Sequence, residues 1–191
     1  MEQWKSLITC FLAKNSQINL SAIRDEEGVF MKHIQDSLEI EKVLSFPEGS
    51  KIVDVGTGSG FPLMPLAKEF PKCHFMGIDS VRKKTVAVNE ILKEMNILNA
   101  TVERMRMEQY QGEKFDFVTA RAVAYADVLI PRIVPLVKPW GTLILWKQKS
   151  QEEQAVLEKM MKKYHFCMKK THEYQLFEGD IERVLYLLEK K

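Results

Sequence analysis

Cysteine is scarce and scattered. Cys10, Cys73 and Cys167 are the whole complement, with no C-x-x-C pair and no histidine at ligand spacing. That excludes a disulfide framework and a zinc site, and predicts free thiols in a reducing, cytoplasmic setting. With four histidines and no carboxylate at ligand spacing, no metal is expected. No apolar run approaches the ~20 residues of a membrane span, so no membrane association is expected. The first residues, MEQWKSLITCFLAKN, carry Lys5 and Lys14 and no small-residue cleavage site, unlike a signal peptide. Neither sign of charge dominates: 28 Lys and Arg stand against 26 Asp and Glu. A nucleic-acid partner is therefore permitted but not demanded, and any basic footprint has to be local.

What is present starts with Lys51–Pro62, KIVDVGTGSGFP. Ile52, Val53 and Val55 around Asp54 form a short β-branched run that favours a buried strand. Gly56, Gly58 and Gly60 follow as a tight turn that lets a ligand approach the backbone. Pro62 suits the first turn of a helix. A second apolar segment, His74–Ile78, then ends in Asp79. Strand, glycine loop, helix, strand and acid is the layout of a nucleotide-binding α/β unit.

The rest of the chain extends that unit. Trp4, Leu7, Ile8, Phe11 and Leu12 lie at helical spacing, so residues 1–14 read as an amphipathic helix. Residues 15–24 read as a loop. Asp25 is the expected N-cap of a second helix running to about residue 45. Strands are expected at Lys51–Val55, Cys73–Ile78, Thr101–Glu103, Phe115–Ala120 and Thr142–Trp146. Helices are expected near 61–69, 81–97, 125–137 and 150–163. This alternation implies an α/β fold with a mostly parallel sheet and helices on both faces. The tail, 164–175 and 181–189 around Glu178-Gly179-Asp180, reads as a hairpin that adds an antiparallel C-terminal strand. We divide the chain into an N-terminal helical extension, 1–48, and a catalytic domain, 49–191, and expect a monomer.

Several nucleotide-binding alternatives fail on missing residues. There is no Gly-Lys-Ser/Thr, so the loop is not a phosphate-cradling P-loop, and Phe61 stands where a dinucleotide fingerprint has its third glycine. The pattern Asp-x-Gly-x-Gly-x-Gly, with Asp79 after the second strand, resembles the class I, Rossmann-like methyltransferases that bind S-adenosylmethionine (AdoMet). By that resemblance Asp79 accepts the ribose hydroxyls, although it could instead cap the helix at Ser80–Lys84. Arg104–Glu108 follows the third strand where such folds meet adenine, and Arg121 closes the fourth, pointing into the cleft unless it forms a structural ion pair. Enzymes that methylate exocyclic amines carry an Asn/Asp-Pro-Pro-aromatic turn after that strand; here it reads Ala120-Arg121-Ala122-Val123. Methylation of pyrimidine C5 needs a nucleophilic cysteine, and none lies near. An acceptor with a ready lone pair, such as guanine N7, fits: it carries no proton, and catalysis reduces to placement.

The runs NLSAIRDEEGVFMKHIQDSL (Asn19–Leu38), VDVGTGSGFPLMPLA (Val53–Ala67), DSVRKK (Asp79–Lys84), ARAVA (Ala120–Ala124) and LILWK (Leu143–Lys147) together resemble the RsmG (GidB) family. These are bacterial guanine-N7 methyltransferases of 16S ribosomal RNA. The resemblance implies a seven-stranded class I sheet, AdoMet as cofactor, and 16S rRNA as partner, within the small subunit or its precursor. It implies cofactor contacts at Asp54, Gly56, Gly58, Gly60, Phe61, Asp79, Met107, Glu108 and Arg121. Catalytic or RNA roles fall on Asn19, His33, Arg121 and Lys147. Leu63 and Gln148 depart from the family pattern. Lys14, Arg24, Lys32, Arg82–Lys84, Lys147 and Lys149 could form a basic rim that grips phosphates. The rival readings are a methyltransferase of a small molecule or protein, and a non-catalytic AdoMet- or RNA-binding module.

Overall fold

The computed structural model describes residues 1–176 and 181–191; the expected turn at Glu178-Gly179-Asp180 lies outside them. Seven strands form one sheet in the order β3-β2-β1-β4-β5-β7-β6. They are β1 (Lys51–Val55), β2 (His74–Asp79), β3 (Ala100–Arg104), β4 (Phe115–Arg121), β5 (Val137–Gln148), β6 (Phe166–Leu176) and β7 (Ile181–Lys190). Strands β1 to β5 pair in parallel. β7 inserts antiparallel between β5 and β6, so the tail hairpin completes the sheet as expected. β1 sits centrally, and the order reverses at it, where open α/β sheets bind ligands beyond the strand C-termini.

Alternation along the strands divides the core. Ile52, Ile144, Trp146, Leu185 and Leu187 face the layer of the N-terminal helices, α4 (Leu63–Glu69) and α5 (Arg82–Glu94). Val53, Val55, Val118, Leu143 and Leu145 face α6 (Ala126–Ile133) and α7 (Gln151–Lys163). The period-two side-chain pattern of a strand buried on both faces requires this split. Trp4 and Phe11 are core residues, as their helical spacing suggests, and so is Trp146 at the end of the expected strand.

The structure differs from the sequence reading mainly near the N-terminus. Helix α1 (Lys5–Ile18) runs into the segment read as a loop and stops at Asn19, whose left-handed φ of 58° ends it; asparagine tolerates that region better than most residues. Asp25 does cap the next helix, its carboxylate accepting from Gly28 N at 2.7 Å. That helix is irregular: α2 (Glu26–Val29) passes into a π turn (Phe30–Gln35), α3 (Asp36–Leu38) and a 3-10 turn (Glu39–Lys42). Pro62 precedes α4 rather than starting it, leaving Phe61 in the glycine loop. Helix α6 stops at Ile133, and β5 starts five residues earlier than expected, at Val137.

Candidate functional site

Beyond the C-terminal ends of β1, β2, β4 and β5 three clefts meet, and Val123 lines all three. The first, about 580 Å³, runs from the glycine loop to the N-terminal helices and includes Thr57, His33, Arg121 and Arg183. The second, about 190 Å³, lies under Asp79 and is walled by Ile78 and Met105–Glu108. The third, about 470 Å³, lies between the β4–α6 and β5–α7 connections and contains Tyr125, Lys147 and Glu153.

The loop's backbone explains its glycines. Gly56 adopts φ 66°, and a Cβ there would lie 2.9 Å from Val123 Cγ2. Gly58 donates its N–H to Asp79 Oδ2 at 2.9 Å, so the loop and the β2 acid are bound to each other. Gly60 differs from the expectation of a cofactor contact. It lies outside the three clefts, and a Cβ there would strike Met64 and Val88. Its missing side chain lets the loop pack on α4 and α5. Leu63 is wholly buried against Gly77, so this departure from the family pattern repacks the core and leaves the clefts untouched.

Asp79 braces the loop and the start of α5 at once. Oδ1 accepts from Val81 N at 2.8 Å, tying the start of α5, while Oδ2 takes Gly58 N. An ionised carboxylate has about four acceptor sites, so both oxygens keep capacity for a ligand's hydroxyls. Asp54 is buried beneath the loop rather than lining a cleft. Burial pushes its carboxyl up to about 6, against the opposing Thr57 and Thr119 hydroxyls. Thr119 Oγ1 donates to Oδ1 at 2.8 Å. Oδ2 and Thr57 Oγ1 are both buried and have no hydrogen bond of ordinary geometry among the described residues. Met107 and Glu108 line the second cleft, where Glu108 pairs with Arg132 at 3.3 Å.

The sequence reading left Arg121 between two roles, and the structure gives it both settings. It lines the first cleft, and it is held by Asp36 Oδ2 at 2.9 Å, by Lys32 O at 3.0 Å and by His33 Nδ1 at 3.0 Å. Arginine cannot accept a hydrogen bond, so His33 Nδ1 is the acceptor and the ring proton sits on Nε2. That nitrogen donates to Ser21 Oγ at 2.8 Å. Burial and the Arg121 charge push the imidazole down to about 3. His33 is therefore neutral, stacked on Phe61 with ring centroids 4.6 Å apart. Both ring nitrogens are occupied, so His33 itself offers no positive charge to a phosphate.

Asp36 ties the site to the rest of the fold. Besides Arg121 it accepts from Arg183 on β7 at 3.1 Å and from the Tyr174 hydroxyl on β6. Its backbone carbonyl takes the Trp146 indole N–H at 2.8 Å. Burial and the Asp36 carboxylate push the Tyr174 phenol up, so it stays a donor. One buried carboxylate thus faces two guanidinium groups, and Arg183 Nε has no partner among the described residues. Sequence reasoning missed Asp36, Tyr174 and Arg183 as site residues. Two signals existed: Asp36 lies in the His-x-x-Asp-Ser motif, and Arg183 interrupts the apolar face continued by Leu185 and Leu187.

Of the two remaining expected residues, Asn19 falls outside the clefts and Lys147 within them. Asn19 is exposed, its side-chain oxygen accepting from Arg24 at 2.5 Å, outside the three clefts. Its neighbour Asn15 does the organising, bonding Ile23 O and Ser21 N from a fully buried position. Lys147 lines the third cleft, paired with Glu153 at 2.5 Å and donating to Ala124 O. The proposed basic rim is thinner than its sequence count. Lys14 pairs with Glu90, Arg24 bonds Asn15 and Asn19, and Lys149 pairs with Glu173. Arg82, Lys83 and Lys84 have no carboxylate partner among the described residues. They open α5, which carries no acid in its first turn to balance them.

Sheet order, glycine loop and β2 acid define the class I fold of AdoMet-dependent methyltransferases. Solved structures of that fold agree. A SAM-dependent methyltransferase from Aquifex aeolicus superposes with TM-score 0.66 at 16% identity, covering 84% of this chain and 92% of its own. Magnesium protoporphyrin IX methyltransferase from Synechocystis, solved with bound SAM, gives 0.68 at 20% identity, covering 87% and 83%. Relatives by sequence are more specific. Ribosomal RNA small subunit methyltransferase G of Bacillus pumilus is 32% identical over all of this chain and 82% of its own length. That of Staphylococcus aureus is 31% identical with the same coverage. The family described as rRNA small subunit methyltransferase G, GidB, matches residues 1–185. The chain belongs to that family.

Proposed function

We propose that this protein methylates N7 of a guanine in small-subunit 16S rRNA, with AdoMet as donor. The observation that carries the reading is the convergence of three clefts on Val123. The residues present fit the cofactor. AdoMet bears hydroxyl and ammonium donors, and the loop offers Asp79 with spare acceptor capacity. The site's excess of guanidinium over carboxylate at Arg121, Arg183 and Asp36 suits the cofactor's own carboxylate. The small cleft at Met107 and Glu108 suits adenine, and the third cleft suits the acceptor. AdoMet bound there supplies an electrophilic methyl group. His33 positions Arg121 and moves no proton.

Guanine N7 is supported by what lines the acceptor side. Among the described residues no cysteine borders the clefts, so a covalent route is unsupported. His33, the one imidazole there, has both nitrogens occupied. A lone pair without a proton needs neither. The unpaired Arg82–Lys84 cluster gives RNA phosphates a local foothold on a nearly neutral chain. The test is methyl transfer from labelled AdoMet to small-subunit particles and free rRNA from a strain lacking this gene. The labelled base is mapped by the strand scission that N7-methylguanine permits. A single labelled guanine, lost in Arg121→Ala, supports the reading. Label on another base overturns N7, and AdoMet binding without transfer overturns the activity.

A further inference from the structure

The third cleft holds an arrangement that the cofactor does not use. Lys147 and Glu153 are both nearly buried, with side chains 12% and 6% exposed. Their pairing is incomplete in a specific way. Glu153 Oε1 accepts from Lys147 Nζ and from Ala126 N at 3.1 Å, while Oε2 is buried with no partner among the described residues. The ammonium group has three donors, of which one goes to Glu153 and one to Ala124 O. The pair therefore retains one spare donor beside one spare acceptor, the acceptor being a buried oxygen of a residue that lines the cleft. At the mouth of the same cleft Tyr125 is 73% exposed, an aromatic face in water where most large apolar groups are covered.

We propose that this cleft binds the acceptor guanine, with Lys147 donating to O6, Glu153 accepting from N1–H, and Tyr125 stacking on the ring. This inference rests on the guanine-N7 reading above and names the residues that choose the base. On a purine's Watson–Crick edge, guanine shows an acceptor at O6 beside a donor at N1. Adenine shows the reverse, a donor at N6 beside a bare lone pair at N1. The Lys147–Glu153 pair matches the first and opposes the second. A site with buried polar groups rejects the wrong partner strongly, because those groups are left unpaired. Reading the Watson–Crick edge also leaves N7 free to face Val123 and the cofactor clefts. The Glu153 carboxylate then lies against the ring that gains positive charge when N7 is methylated, a fixed charge of the favourable sign.

The neutral alternative is that Lys147–Glu153 is a structural pair and Tyr125 an incidental surface ring. Glu153→Gln, Tyr125→Ala and Tyr125→Phe separate the two. The assay is steady-state methyl transfer to small-subunit particles, alongside AdoMet affinity by calorimetry and thermal unfolding of each variant. Glu153→Gln is expected to lower kcat/KM for the particles about 5- to 150-fold, the range of a good base-edge contact. Tyr125→Ala is expected to lower it about 5- to 150-fold, the range of one base–aromatic stack. Tyr125→Phe restores most of that loss. AdoMet affinity stays at its wild-type value in all three variants and melting temperature in both Tyr125 variants, whereas Glu153→Gln, which leaves Lys147 buried without its carboxylate, melts lower. Wild-type kcat/KM in both Glu153→Gln and Tyr125→Ala overturns the pocket and spares the N7 reading. So does a Tyr125→Ala loss that follows its melting temperature, or a Tyr125→Phe as poor as Tyr125→Ala. A wild-type enzyme that labels no guanine overturns the reading and the pocket together.

Discussion

Removing the Asp36 carboxylate should disable the site and loosen the fold together. Asp36 is buried, and its two oxygens take Arg121, Arg183 and the Tyr174 hydroxyl. Asp36→Ala strands two guanidinium groups and a phenol. Removing one partner of a buried ion pair costs about 3–5 kcal/mol, chiefly because the remaining charge stays buried and unpaired. In a domain of this size each kcal/mol moves the melting temperature by about 2–4 °C, so a fall of roughly 6–20 °C is expected. Asp36→Asn keeps the volume and one acceptor and should fall less. Urea unfolding measures the free energy. A double-mutant cycle of Asp36→Asn with Arg183→Met should give a coupling of at least about 1 kcal/mol, as for contacting residues. AdoMet affinity should fall in parallel, because Arg121 loses the group that aims it. If Asp36→Ala unfolds within about 1 kcal/mol of wild type, the carboxylate is not the centre of this network and the argument fails.

Three further outcomes follow from the geometry. Gly56→Ala puts a Cβ into the left-handed region and against Val123, so AdoMet binding should weaken at least about tenfold; calorimetry reads it, and Val123→Ala in the same chain should recover only the steric part. His33 and Asp54 should bend the stability–pH curve in opposite directions. His33 is held down at about 3 from an ordinary 6.5, so the unfolded chain binds its proton first and stability is lost as pH falls from about 6.5 towards 3. Asp54 is held up at about 6 from 3.8, so its contribution is lost as pH rises through that window. His33→Phe should flatten the first limb and Asp54→Asn the second in melts from pH 3.5 to 8. Replacing Arg82, Lys83 and Lys84 by alanine should weaken RNA binding and reduce the salt slope by about 2–3, at roughly 0.7–0.9 per phosphate contact; an unchanged slope would remove the cluster from the RNA footprint.

The fold was legible wherever local chemistry and periodicity agree. Short β-branched runs, the Gly56–Gly60 turn and Asp79 specify the nucleotide-binding half, because strand alternation and positive-φ glycines are local requirements. The tail hairpin was legible from alternation at Val184, Tyr186 and Leu188. Helix ends were less so. Asn19 stops α1 only because its backbone reaches a left-handed conformation, and α6 yields to β5 at Val137 because the sheet, not propensity, claims that residue.

The site divides along the same line. Motif residues such as Gly56, Asp79 and Arg121 could be named from the chain, since each carries its chemistry in a short pattern. Their states could not. His33 became a neutral acceptor, and Arg121 a held group, through contacts 88 and 85 residues apart in the chain. Tyr174 and Arg183 are cross-strand neighbours in the β6–β7 hairpin, and they meet the distant Asp36 only when β7 inserts between β5 and β6. Lys147 read as a free cation until α7 brought Glu153 against it. Local sequence dictates which groups can exist at a position. Burial, partner geometry and the charge left over after pairing are sums over the whole packed chain, and only the tertiary structure evaluates them.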